Sequence, residues 1–164
     1  MSSTFLQDIK WHFNYYKILG DKTLSRLTSE QMLWQYNEES NSIAIIVKHL
    51  WGNMLSRWTD FLSSDGEKLW RKRDKEFISE VLSKEELIQK WEDGWACLFT
   101  ALDSLNDEDM TKEILIRNEH LSVMHAIHRQ LAHYAYHTGQ IVLLGKMICN
   151  EKWESLSIPK INIQ

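Results

Sequence analysis

The chain has 164 residues, 43% hydrophobic and 26% charged, with a formal net charge of −4. Length and composition suit one water-soluble globular domain over residues 1–164 with a sizeable core. The acidic balance gives no electrostatic basis for a nucleic-acid or anionic-membrane partner, and no stretch reaches the ~18 apolar residues of a membrane span.

One proline and six glycines leave little to interrupt helices. A first long helix is expected over about 4–19, with Phe5, Ile9, His12, Tyr16 and Leu19 on one stripe and Gly20-Asp21 ending it. The connection that follows holds a short turn, in which Thr28 and Gln31 have capping-box spacing. A second helix starts after Asn41 or Ser42 and runs to about Phe61. Its apolar face is Ile43, Ile46, Val47, Leu50, Met54, Trp58 and Phe61, with His49 and Asn53 beside it. The basic cluster Arg71-Lys72-Arg73, followed by Asp74 and Glu76, reads as a solvated loop. A third helix starts at Ser83, which has capping-box spacing to Glu86, and carries the stripe Leu87, Trp91, Trp95, Leu98 and Leu102. Residues 113–117 are short and β-like and read as an ordered loop. A fourth helix runs from near Ser122 to about Cys149, and the tail after Trp153 is expected to be irregular. The connections, roughly 15–20 residues each, exceed the 2–8 usual between bundle helices, so they cross the ends or cover a site. Eight tryptophans fill a core or line a pocket, and their number does not decide which.

The fourth helix carries the informative pattern. Ala126, Gln130, His133, His137, Gln140 and Leu144 follow the four-and-three spacing of a buried seam, yet most are polar. Unpaired polar groups in a core cost about 1–3 kcal/mol each, so such a seam needs partners. The flanking stripe Ile127, Leu131, Tyr134, Ile141 and Ile148 is apolar. The spacing of His133 and His137 puts both imidazoles on one helix face, able to share one ion. Seven histidines in this length produce some such pairs by chance, and His120, His125 and His128 share no face with the pair and read as surface or loop residues. His49, at the edge of a core face on another helix, is a candidate third ligand, since a catalytic metal needs three protein ligands and an open position. His12 fits a further ligand, a buried histidine paired within the core, or a residue at the pocket mouth. Cys97 and Cys149 have no metal-type spacing, read as inert packing residues, and fit a reduced compartment; with no basic leader at the N-terminus, a cytoplasmic location is expected.

The stretch Asn41-Ser42-Ile43 leading to His49 and Gly52-Asn53, together with His133-Tyr-Ala-Tyr-His137-Thr-Gly139-Gln140-Ile141, resembles the DinB-like superfamily. The likeness to an uncharacterised bacterial branch covers nearly the whole chain and includes Arg57 to Phe61, Asp65 to Lys68 and Arg129 to His133. The resemblance implies an all-α four-helix bundle with up-down-down-up order, which accounts for the long connections. It implies a divalent metal held by His49, His133 and His137, and a homodimer; imidazole suits zinc, nickel, iron and copper alike, with zinc or nickel the expected ion. Relatives include bacillithiol- or mycothiol-dependent S-transferases, a mycothiol-dependent maleylpyruvate isomerase and proteins regarded as metal-dependent hydrolases.

Three neutral imidazoles leave the ion its full charge, which acidifies a bound water or thiol. Transfer of a low-molecular-weight thiol and hydrolysis of a small-molecule substrate therefore both fit, as does a non-catalytic bundle with a structural metal or none. Gln130 and Gln140 are candidates to orient the ligand rings, or to bond between helices. Tyr16, Asn53 and Arg57 are candidates to line a pocket, and Glu119 is the loop carboxylate best placed as a general base. Arg57 meets a substrate carboxylate or pairs with Asp60 or Glu119.

Overall fold

The computed structural model describes residues 4–159. Its helices are α1 (Thr4–Leu24), α2 (Ser29–Leu33), α3 (Ile43–Trp58), α4 (Lys84–Asp103) and α5 (Val123–Cys149). A small antiparallel hairpin pairs β1 (Glu113–Ile116) with β2 (Glu119–Ser122), and short 3₁₀ segments lie at Arg73–Phe77, Asp107–Thr111 and Asn150–Lys152. Among the described residues no helix is long and apolar enough to cross a membrane. Residues 154–159 form no helix or strand, as expected of the tail, whose last five residues lie outside the described range.

The helix starts follow the capping chemistry. The side chains of Ser42, Ser83 and Ser122 accept from the backbone N–H of Ile45, Glu86 and His125. Both expected capping boxes form, Thr28 with Gln31 and Ser83 with Glu86. Two ends differ from expectation. Gly20 and Asp21 do not stop α1: Gly20 lies against the Trp91 indole, where a Cβ would collide, and the Trp91 Nε1–H donates to Asp21 at 2.6 Å. The glycine serves a close helix contact instead of a terminus. α3 stops at Trp58, short of Phe61, because Thr59 turns extended and Asp60 adopts a left-handed φ of 50°. The expected loop over 113–117 is the first strand and turn of the hairpin. Its two-residue turn, Arg117-Asn118, has φ of 57° and 61°, the handedness a tight hairpin requires.

Side-chain contacts give the helix directions. Phe5 meets His128, Phe13 meets Tyr134 and Thr23 meets Gly145, so α1 and α5 run parallel. Lys90 lies over Trp51, Gly94 packs on Met54 and Cys97 neighbours Thr59, so α3 and α4 are parallel too. Lys17 bonds Glu92 and Lys10 bonds Asp103, which sets α1 antiparallel to α4. Each of these four helices sends one aromatic ring to the centre of the core. Phe13 lies 5.9–6.5 Å from Trp58, Trp95 and Tyr134, and all four are buried. Fourteen of the sixteen residues of α3 are buried, including Lys48, His49, Asn53, Ser56 and Arg57. A helix enclosed that far must find partners for its polar side chains, and those partners build the site.

Candidate metal centre

α3 and α5 bring His49, His133 and His137 together, with one ligating atom from each lying within 4.8 Å of the others. His49 Nε2 is 3.2 Å from His133 Nε2. Two imidazole nitrogens at about 2.0–2.1 Å from one tetrahedral zinc lie about 3.3 Å apart, so this pair already has the separation an ion needs. The group could hold a divalent metal.

The outer nitrogens are held by protein. His49 Nδ1 is 2.9 Å from a Glu76 carboxylate oxygen. A carboxylate only accepts, so Nδ1 carries the proton and Nε2 is left free to ligate. His137 Nδ1 donates to Gln140 Oε1 at 2.8 Å, so this glutamine orients a ring instead of bonding between helices. Arg71 grips Glu76 in turn with two bonds, 2.7 and 2.9 Å. Burial alone would raise the Glu76 carboxyl, but hydrogen bonds from His49 and Arg71 hold it below its usual range. Burial, with His137 and His49 alongside, pushes His133 down to about 3. Burial likewise pushes His137 down to about 4, against the effect of its Gln140 bond. Both rings are therefore neutral at pH 7, the form that binds metal.

A cavity of about 440 Å³ opens over the three rings. Asn53 and Arg57 line it, and so does Gln130, whose buried Oε1 has no hydrogen-bond partner among the described residues. Tyr134 joins this wall to the core. Trp58 Nε1–H donates to its hydroxyl at 3.0 Å, and the hydroxyl, kept protonated by burial, donates to Asn53 at 2.9 Å. The two long connections supply the remaining walls: Arg71, Arg73 and Phe77 from one, and Arg117 from the hairpin in the other. A larger surface depression of about 720 Å³ around Arg26 and Cys149 holds no such ligand cluster among the described residues.

Several expected placements differ. Tyr16 is half-buried against the core and does not line the cavity. Glu119 is exposed on β2 and is likewise absent from the lining. His12 is exposed beside Trp11 and belongs neither to the ligand group nor to the cavity lining. Arg57 pairs with Glu67 at 3.1 Å, not with Asp60 or Glu119, and also donates to the Gly66 carbonyl, because the chain after α3 folds back beneath it. Arg71 is not solvated: it is 8% exposed and only Lys72 and Arg73 of that cluster face water. Glu76 and Arg71 escaped the sequence reading because a mixed-charge run carries no periodicity. His120, His125 and His128 are exposed as expected. Cys97 and Cys149 are free thiols, and burial pushes Cys97 up, away from reactivity.

No curated protein matches the chain significantly. A conserved protein of Enterococcus faecalis with a known crystal structure superimposes with a TM-score of 0.68 over 92% of this chain and 99% of that one, at 14% identity. At that identity the likeness concerns the fold alone. A family profile matches residues 1–162. The chain thus belongs to the protein family of unknown function DUF1572.

Proposed function

We propose that this protein is a DinB-like, divalent-metal-binding enzyme that acts on a small molecule by thiol transfer or hydrolysis. The observation that carries this reading is the set of three ligating nitrogens within 4.8 Å of one another beneath a cavity of about 440 Å³. The helix directions support a single-domain four-helix bundle of α1, α3, α4 and α5 in up-down-down-up order. Zinc or nickel suits three imidazoles. When bound, a divalent ion acidifies a coordinated water or thiol. The remaining work falls to the chain: Glu76 and Gln140 keep the rings aimed, Arg71 keeps Glu76 ionised, and Asn53 and Arg57 meet the substrate. Glu119 is not placed to act as the base.

A structural metal would need a fourth protein ligand. Glu76 is committed to His49 and Arg71, His12 is exposed on another helix, and the ligand group among the described residues holds three members. That favours an open position and hence catalysis. A low-molecular-weight thiol is the proposed co-substrate of the transferase form, and the cytoplasm supplies such thiols. A homodimer is also proposed, with the exposed α1 row Trp11, Tyr15 and Ile18 as its surface.

Elemental mass spectrometry on untagged protein, beside His49→Ala/His133→Ala/His137→Ala, tests the centre. Near-stoichiometric metal in the parent and none in the variant is expected. A parent that takes up no zinc or nickel would end the metal reading and leave a binding module.

A further inference from the structure

The cavity over the histidines is strongly cationic although the chain as a whole is not. Five of its twelve lining residues are arginines and none is a carboxylate, in a protein whose net charge is −4. Two glutamates stand behind the wall. Glu76 is bound by Arg71, and Glu67 is shared by Arg57 and Arg117 at 3.1 and 2.9 Å. Asp74 pairs with Arg73 at 3.5 Å, so five positive charges less three negative ones leave two in excess at the cavity before any metal is counted.

Structural bonds do not use all of the arginines' donors. Arg57 and Arg71, 4% and 8% exposed, each keep one buried N–H group without an acceptor, Nε and Nη1 respectively. Arg129 makes no hydrogen bond or ion pair among the described residues and faces the cavity from α5. Arg117 is held in a left-handed backbone conformation, φ 57°, that side-chain-bearing residues seldom adopt. Asp65 secures that turn by accepting from the backbone N–H of Arg117 at 2.9 Å and of Asn118 at 2.8 Å. The Arg117 Nε then bonds Glu67, and neither terminal nitrogen of its guanidinium has a hydrogen-bond partner among the described residues. A hairpin, an Asp brace and a Glu brace thus converge on presenting one arginine at the mouth of the site.

We infer that the cavity takes a small organic anion, its carboxylate or phosphate head gripped by Arg117 and Arg129 while Arg57 and Arg71 form the inner positive wall. A planar guanidinium matches either oxyanion with paired N–H donors. A cleft with one sign of charge concentrates such ligands. About 440 Å³ suits a metabolite-sized molecule, at the small end of ligand cavities. The inference rests on the metal reading only for the second anchor, the histidine centre toward which the rest of the ligand extends.

The test is calorimetric titration of the zinc-loaded full chain at low salt with malonate, inorganic phosphate and the neutral malonamide. The comparison variant is Arg117→Gly/Arg129→Ala, in which glycine suits the left-handed turn and alanine suits the helix. At least one anion should bind, malonamide at least about tenfold more weakly, and the variant, which removes two charge-assisted contacts, should lose about tenfold or more. Its zinc content and helical circular dichroism should match the parent. Tighter malonate assigns a carboxylate substrate, and tighter phosphate a phosphate ester. Absence of anion binding, equal binding of malonamide, or anion binding unchanged in the variant would overturn the inference. Should the parent hold no zinc, the metal reading fails by itself, and the same titration on metal-free protein decides the arginines.

Discussion

Glu76 shows how one side chain decides whether three histidines are a site or a packing detail. It holds the proton on His49 Nδ1, is clamped by Arg71, and packs so closely on Gly52 that a Cβ there would meet its carboxylate. Residues that orient a ligand histidine in this way typically contribute 10–100-fold to metal affinity. Glu76→Gln should therefore weaken zinc binding by roughly that factor in chelator competition, with the helical spectrum unchanged. Affinity equal to the parent's would mean that the carboxylate does not orient the ring. His133 and His137 were legible in the sequence because helical periodicity alone puts positions four apart on one face. Glu76 was not, since nothing local distinguishes it from its exposed neighbours Asp74 and Lys75.

Among the elements, the helices follow their own sequence closely and the connections do not. α4 and α5 begin at the serines whose capping chemistry predicts them. α1 overran its expected end because Gly20 answers to Trp91 on α4, not to its neighbours along the chain. A paired substitution separates these two roles of glycine. Gly139, with nothing within 4 Å of a built Cβ, should gain about 1 kcal/mol of stability on Gly139→Ala from helix propensity. Gly20→Ala should lose about 1 kcal/mol instead, because overpacking against the indole outweighs the same propensity gain. Denaturant midpoints measure both, and a Gly20→Ala protein as stable as Gly139→Ala would show that Trp91 yields without cost.

For the whole molecule, the site sets a pH dependence. The folded state holds His133 and His137 far below the 6.5 of a free imidazole, so the unfolded chain binds protons that the folded chain refuses. The sign follows: stability is complete above about pH 6.5 and falls as pH drops toward 4. Metal-free protein should lose Tm between pH 7 and pH 5, and His133→Ala/His137→Ala should be flatter over that range. Parallel profiles would show that those rings are not held neutral by folding. Zinc adds stability by binding the folded state, so chelation should lower Tm in the parent and leave the variant unmoved.

The sequence by itself determined the helices, their caps, the apolar stripes and the three imidazoles, because each is set by residues within a few positions of one another. Only the tertiary structure decided what those imidazoles meet. His49 finds Glu76 across 27 residues and His133 across 84, and Arg117 reaches Glu67 across 50. Such pairings depend on how the parallel and antiparallel helices stack and on where two aperiodic connections come to rest. Burial on nearly every side of α3 forces its polar residues to seek those distant partners. The result is a three-histidine centre under a wall of arginines, in a chain whose overall charge is negative.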